Sequence, residues 1–302
     1  MNKDNIVSVL LPTYNASSTI KATIDSIINQ THSNFELIII DDGSTDNTRK
    51  IVSDINDDRI TYIYKVNGGI SSALNLGIEN CSSEYIARID SDDIAYSTRL
   101  EKQYKYLKEN KDTLLVGSAV DYIDGNGKVI GRTFPIIFDF LSDLIFKKRN
   151  IYAHPSVMFK KNAVIKCGGY DENLSGLMED YYLWAKLRNL GKCRNMYEAL
   201  TQYRISENQI TSCKPSLKYK ELERIIINNL KYEMLDIVNL RKERERIKNE
   251  SNGFSKTRIN GIGLNNFYLI YKYLSFFNKK NSSKITTLLK NMQVYIWYLY
   301  GK

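Results

Sequence analysis

Four short stretches of the 302-residue chain gather polar side chains in spacings that suit chemistry. The densest is Asp90-Ser91-Asp92-Asp93. Residues two apart on an extended backbone project the same way, so Asp90 and Asp92 would lie about 7 Å apart along one side. Carboxylates so paired repel each other. A hard dication with oxygen ligands relieves that repulsion, and Mg2+ or Mn2+ held this way keeps waters and shares substrate phosphate oxygens. The plainer reading is a calcium-like surface loop or a helix cap. In Asp41-Asp42 one carboxylate can accept from a nucleobase N–H or a ribose hydroxyl, or it can simply cap the next helix. In Pro12-Thr13-Tyr14-Asn15 the Tyr14 ring can stack on a base, unless the stretch is only a strand-to-helix turn. Met178-Glu179-Asp180 opens a predicted helix, where a carboxylate is ordinarily a cap and alternatively a general base for a hydroxyl proton.

Each stretch falls at the edge of a predicted element. Apolar runs predict strands at Ile6–Pro12, Phe35–Ile40, Ile60–Tyr64 and Glu84–Ile89. Between them, helical spacing of apolar residues predicts helices over Ser18–Thr31, from Ser44 or Thr45 to about Ile55, and over Gly69–Asn80. Ser17 or Ser18 and Ser44 or Thr45 are the expected N-caps. Further on come a helix at Thr98–Asn110, strands at Leu114–Val120, Val157–Phe159 and Ala199–Arg204, and a helix at Glu179–Leu190 ended by Gly191. This order predicts an α/β fold with a mostly parallel sheet flanked by helices, and ligands in such sheets sit past the carboxyl ends of the strands.

Taken together, the stretches resemble the family 2 glycosyltransferases of the GT-A fold, a Rossmann-like nucleotide-sugar transferase architecture. The matching segments are Val7–Asn15, Ser26–Thr48, Asn67–Ile78, Glu84–Asp93 and Gly176–Trp184, in the family's order, and the likeness covers about residues 5–211. The resemblance implies an inverting transfer from a UDP-sugar donor to a glycan hydroxyl in bacterial surface polysaccharide assembly (capsule, O-antigen or exopolysaccharide), assisted by Mn2+ or Mg2+. It implies that Pro12, Tyr14 and Asp42 line the base and ribose pocket, with Asn67 and Gly69 near the donor. Asp90 would approach the ribose or the metal, and Asp92 would be the principal metal ligand. Asp180 would be the catalytic base, with Glu179 and His154 on the acceptor side. Many members carry a metal-binding His two residues after an Arg; here that position is Ser206, a poor ligand.

Charge divides the chain. Residues 1–214 hold 26 Lys+Arg against 27 Asp+Glu, a net of −1, whereas residues 215–302 hold 17 against 7, a net of +10, together the +9 of the whole chain. We therefore expect a catalytic domain over 1–214 and a basic, aromatic-rich helical region over 215–302, including a long helix at Leu217–Lys248. That region would suit peripheral contact with an anionic membrane leaflet and a lipid-linked acceptor, or would be a solvated helical appendage. A nucleic-acid partner is not expected, because the catalytic half lacks a basic groove. A nucleotidyltransferase is the enzymatic alternative, but it would place a glycine-rich basic loop after the first strand, where Thr13-Tyr14-Asn15-Ala16-Ser17 stands. Four cysteines without CxxC spacing argue against zinc and disulfides. No run reaches the length of a spanning helix, so a cytoplasmic protein, peripheral on the inner face of the membrane or free, is expected.

Overall fold

The structure is a computed structural model of the chain and describes residues 5–146 and 149–205. Strands β1 (Val7–Thr13), β2 (Phe35–Asp41), β3 (Ile60–Tyr64) and β4 (Tyr85–Arg88) alternate with helices α1 (Ile20–Ile28), α2 (Thr48–Ser53) and α3 (Ile70–Asn80). The four strands run parallel in the order β3-β2-β1-β4. Every residue of β1 is buried, and every residue of β2 except Glu36. Strands covered on both faces read as unbroken apolar runs, which is why these two are so plain in the sequence. Alternate residues feed opposite layers. Leu10, Ile38 and Ile40 pack with Leu74 and Ile78 of α3, whereas Val9, Leu11, Leu37 and Ile39 pack with Ile24 and Ile27 of α1.

Past β4 the sheet mixes directions. β8 (Met158–Lys160) runs antiparallel to β4, and β6 (Thr113–Ile123) antiparallel to β8. β9 (Lys192–Arg204) lies parallel to β6, and the two-residue β5 (Ile94–Ala95) closes that edge antiparallel to β9. A turn at Asp124–Gly127 leads into β7 (Val129–Arg132), antiparallel to β6. Around this half stand α4 (Arg99–Glu109), α5 (Asp139–Phe146), α6 (Lys161–Lys166) and α7 (Glu179–Leu190). The parallel arrangement expected from the pattern thus holds for the first four strands, and the remainder is mixed.

Several expectations are corrected. β9 begins at Lys192 and not at Ala199, because its first half is a polar, weakly patterned stretch that gains order only by pairing with β6. The pattern does not reveal β5, β7, α5 or α6, which are short. α2 spans six residues and stops at Ser53. Neither expected cap operates: α1 starts after Thr19 and α2 after Asn47, without side-chain cap bonds from them. Ser17, through its backbone N–H, and Ser44, through its hydroxyl, tie loops together instead. Ser206, the boundary near residue 214, the Leu217–Lys248 helix and the basic region 215–302 lie outside the described residues. No helix among the described residues is long and apolar enough to cross a membrane.

Candidate active site

β1, β2 and β3 end at one level, with Thr13 paired to Asp41 and Asp41 to Tyr64. Tyr14, Asp42 and Lys65 are therefore each the first residue past a strand. Pairing between β1 and β4 stops earlier, at Leu10 and Arg88, followed by a last bond from the Ile89 N–H to the Leu10 carbonyl at 3.1 Å. In a parallel ladder alternate residues bond to alternate neighbours, so Pro12, like Leu10, faces β4 where that ladder has ended. A proline costs no hydrogen bond there. The two strands part at this point, where the strand order reverses, and such a switch point opens a crevice. Pro12 is buried in the floor of β1, whereas Tyr14 is 53% exposed.

The loops after β1 and β2 are clasped. Asn15 adopts a left-handed conformation, with φ of 49°. Its N–H donates to Ser44 Oγ at 2.9 Å, and its Oδ1 accepts from the Thr45 N–H at 2.8 Å. The Ser17 N–H donates to Asp46 Oδ2 at 3.0 Å. Burial is the largest single influence on Asp46 and raises its carboxyl, but the bonds from Thr48 and Ser17 together outweigh it and bring the carboxyl down to about 2. The clasp sets the position of Tyr14.

Asp42 organises the loop after β3. Its Oδ1 accepts from Lys65 Nζ at 2.7 Å and from the Gly68 N–H at 2.9 Å, and its Oδ2 accepts from the Gly69 N–H at 2.8 Å. It is buried and does not cap α2. Two glycines make the loop possible. Gly43, at φ +84°, lies where a Cβ would meet the Asn67 backbone nitrogen at 2.9 Å; Gly69, at φ +87°, lies where a Cβ would meet Ser175 Oγ at 2.7 Å. Asn67 itself is exposed. Ser175 Oγ also accepts the Ser71 N–H at 3.1 Å, so the segment leading into α7 rests on the start of α3.

Past β4, carboxylate oxygens of Asp90, Asp92 and Asp93 lie within 4.8 Å of one another. Arg88, buried in β4, forms a two-pronged ion pair with Asp90, one bond being Nη1 to Oδ2 at 2.6 Å. Burial opposes the charge on Arg88, yet Asp90 holds the guanidinium above its ordinary range. Burial and then the Asp90 charge push Asp92 up to about 6. The same two causes push Asp93 well above the carboxylate range. Asp93 is 1% exposed; its Oδ1 accepts the Arg204 N–H at 2.8 Å, and its Oδ2 has no hydrogen-bond partner. A buried carboxylate oxygen without a partner, in a cluster of three carboxylates of which Asp92 and Asp93 are pushed upward, fits a hard dication.

α7 starts at Glu179, and Asp180 sits in its first turn. Asp180 Oδ1 accepts the Tyr181 N–H at 2.6 Å, and Oδ2 accepts Asn150 Nδ2 at 2.7 Å. Burial raises its carboxyl to about 6, opposed by the Tyr181 N–H, Arg88 and Asn150. Glu179 is buried beside it. His154 Nε2 meets the Tyr170 hydroxyl at 2.9 Å, and its ring packs edge-on against Trp184. Burial, then the Arg88 charge, holds His154 well below its ordinary pKa, so it is neutral. Among the described residues the acidic cluster consists of Asp90, Asp92 and Asp93.

Arg88 therefore acts on both the acidic triplet and Asp180, and the bond from the Ser71 N–H to Ser175 Oγ joins the start of α3, just past the Asp42 loop, to the segment leading into α7. Tyr14, Asp42 and Asp90 each follow a parallel strand of one sheet, and the Arg88 charge reaches Asp92, Asp93, His154 and Asp180. Sequence reasoning missed Arg88, Asp93, Lys65, Asn150 and Ser175. A charge inside the apolar run Tyr85–Ile89 and a third acid after Asp92 were readable signals for the first two; the other three show none.

This architecture, a parallel half-sheet with acids past its carboxyl edge and a mixed second half, is that of the GT-A transferases. Over 79% of this chain and 71% of the other, it matches the crystal structure of S. aureus TarS 1–349 in complex with UDP-GlcNAc, with a TM-score of 0.60 at 19% identity. The chain belongs to glycosyl transferase family 2, whose profile matches residues 8–168. It is 37% identical over 230 residues to the O-antigen biosynthesis glycosyltransferase WbnJ of Escherichia coli, covering 72% of this chain and 85% of that one. The putative glycosyltransferase EpsE of Bacillus subtilis is 32% identical over 225 residues, 72% of this chain and 79% of that one. The protein is a glycosyltransferase.

Proposed function

We propose that this enzyme transfers a sugar, with inversion, from a UDP-sugar to a hydroxyl of a glycan acceptor in bacterial surface polysaccharide assembly. One observation supports the reading: Arg88 pairs with Asp90 and its charge acts on Asp92, Asp93 and Asp180, acids distant in sequence, while Asp42 follows a parallel strand of the same sheet. The polysaccharide setting and the UDP-sugar donor are carried over from WbnJ and from the UDP-GlcNAc complex of TarS.

In this reading Tyr14 stacks on the base above Pro12. Asp42 keeps one free lone pair on Oδ2 for a base N–H or a ribose hydroxyl, while it holds Asn67 and Gly69 against the donor. Asp92, Asp93 and, beside its Arg88 pair, Asp90 would hold Mn2+ or Mg2+, which would neutralise charge growing on the departing diphosphate. Asp180 accepts the proton of the acceptor hydroxyl. The acceptor oxygen bonds to the anomeric carbon from the face opposite the diphosphate, the bond from that carbon to the phosphate oxygen breaks, and UDP leaves. Glu179 and His154 shape the acceptor side, His154 as a neutral ring. The basic residues 215–302 would hold the enzyme on the inner face of an anionic membrane, near a lipid-linked acceptor.

The test is a panel of nucleotide-sugars offered to the purified protein with Mn2+, scored by hydrolysis and by thermal stabilisation. A UDP-sugar should be hydrolysed and should raise the melting temperature, and chelator should remove both effects. Preference for another nucleotide, or activity untouched by chelator, would refute the donor or the metal assignment respectively.

A further inference from the structure

Asp180 has a fixed neighbour that the reaction above leaves without a role. Asn150 Nδ2 donates to Asp180 Oδ2 at 2.7 Å, and Asn150 Oδ1 accepts the Tyr152 N–H at 3.1 Å. The second bond decides the first. Turning the amide over would set its oxygen against a carboxylate and its NH2 against an N–H, two repulsive pairs. Asn150 therefore presents a donor, never an acceptor, to Asp180. Its own anchor is firm: Tyr152 is buried, its hydroxyl donates to the Cys193 carbonyl at 2.9 Å, and Arg188 donates to that hydroxyl. Arg188 lies on α7, the helix that carries Asp180. The amide and the carboxylate are thus bolted to the same frame.

We propose that Asn150 is a positioning residue for the transfer: it locks the Asp180 carboxylate in one rotation and favours the ionised form that accepts the acceptor's proton. This rests on the reading of Asp180 as the base. With the Tyr181 N–H on one oxygen and Asn150 on the other, the carboxylate is held in one rotation. The charged group that acts on Asp180 is Arg88 from β4, and Asp180, Glu179 and Asp90 in turn act on the Tyr170 phenol. Arg88 supplies a field without direction, whereas Asn150 supplies a directed bond.

The test uses the full chain labelled with 13C at Asp carboxyls, titrated by NMR, with Asp180→Asn assigning the resonance. Asp180 should titrate near pH 6 in the unaltered protein. Asn150→Ala should move that midpoint up by about one pH unit, the loss expected for one hydrogen bond to a charged group. Asn150→Asp, nearly the same shape, should move it further by repulsion. Both variants should bind UDP with Mn2+ as tightly as the parent, while turnover falls about tenfold at neutral pH. A midpoint unmoved in either variant that still binds UDP would overturn the role of Asn150. Turnover retained by Asp180→Asn would instead overturn the base assignment, whatever the midpoint did.

Discussion

Burial holds the Asp180 carboxyl up at about 6, and a base works only when ionised. Transfer should therefore run on a plateau above pH 7 and fall about tenfold for each pH unit below about 6, as the carboxylate takes up its proton. Initial rates across pH 4.5–8.5 check this. Asp180→Asn should cost about 10²- to 10⁴-fold in turnover at pH 7.5, with UDP affinity kept. Asp92 tells a different story at the same scale. Its folded pKa is raised, to about 6, above the ordinary 3.8. A raised acid stabilises the fold below the unfolded pKa, and that contribution is lost as pH rises through the folded one. Without metal, the ionised Asp92 thus weakens the protein at neutral pH. Asp92→Asn should be more stable by about 1–2 kcal/mol at pH 7.5 in chelator, after allowing for solvent screening. The gain should vanish near pH 4, and added Mn2+ should stabilise the parent but not the variant. Thermal melts at the two pH values decide it.

The elements do the positioning by ending at matched heights. β1, β2 and β3 stop together, and the loops beyond them are stitched by Asn15, Ser44, Asp46 and Asp42. Gly43 is the point of least tolerance, since its φ of +84° disfavours any side chain and an added Cβ would press on the Asn67 backbone at 2.9 Å. Gly43→Ala should cost about 1–3 kcal/mol and lower the melting temperature by several degrees. UDP affinity should drop with it, because Asp42 and Asn67 share that loop. Gly125→Ala, in a turn with open space around the added carbon, serves as the control and should stay within about 0.5 kcal/mol of the parent. Equal melts for the two variants would show that the loop yields freely.

At the scale of the whole molecule, the charge asymmetry sets the next expectation. The first 214 residues are close to neutral at −1, and the last 88 carry +10. An anionic surface should therefore draw the protein in by its second part. The full chain should sediment with vesicles containing about a third phosphatidylserine at ~50 mM salt and be released at ~500 mM, as the Debye length contracts. Vesicles of neutral lipid should leave it in the supernatant. Sedimentation with neutral vesicles, or none with anionic ones, would remove the membrane role.

How much was readable depends on where each signal lies. β1, β2, α3 and α7 are written as unbroken apolar runs or helical spacing, since burial on one or both faces forces those patterns. Asp42, Asp90 and Asp92 stood out because they follow such runs, and Asp180 because it opens one, at places where polar side chains need a reason. β9 was half legible, for its polar first part becomes a strand only beside β6. Asn150 was not legible at all: an asparagine after a short helix carries no pattern, and its meaning comes from Asp180, 30 residues on, and from the Tyr152 N–H that turns its amide. Likewise only the folded chain shows that Arg88 pairs with Asp90 and acts on Asp180, or that Ser175 fills the space a side chain at Gly69 would need. Periodicity and composition record what one segment buries. Long-range hydrogen bonds, charge pairing and close backbone approach exist only once distant segments meet, and at this sheet edge those decide which acid does what.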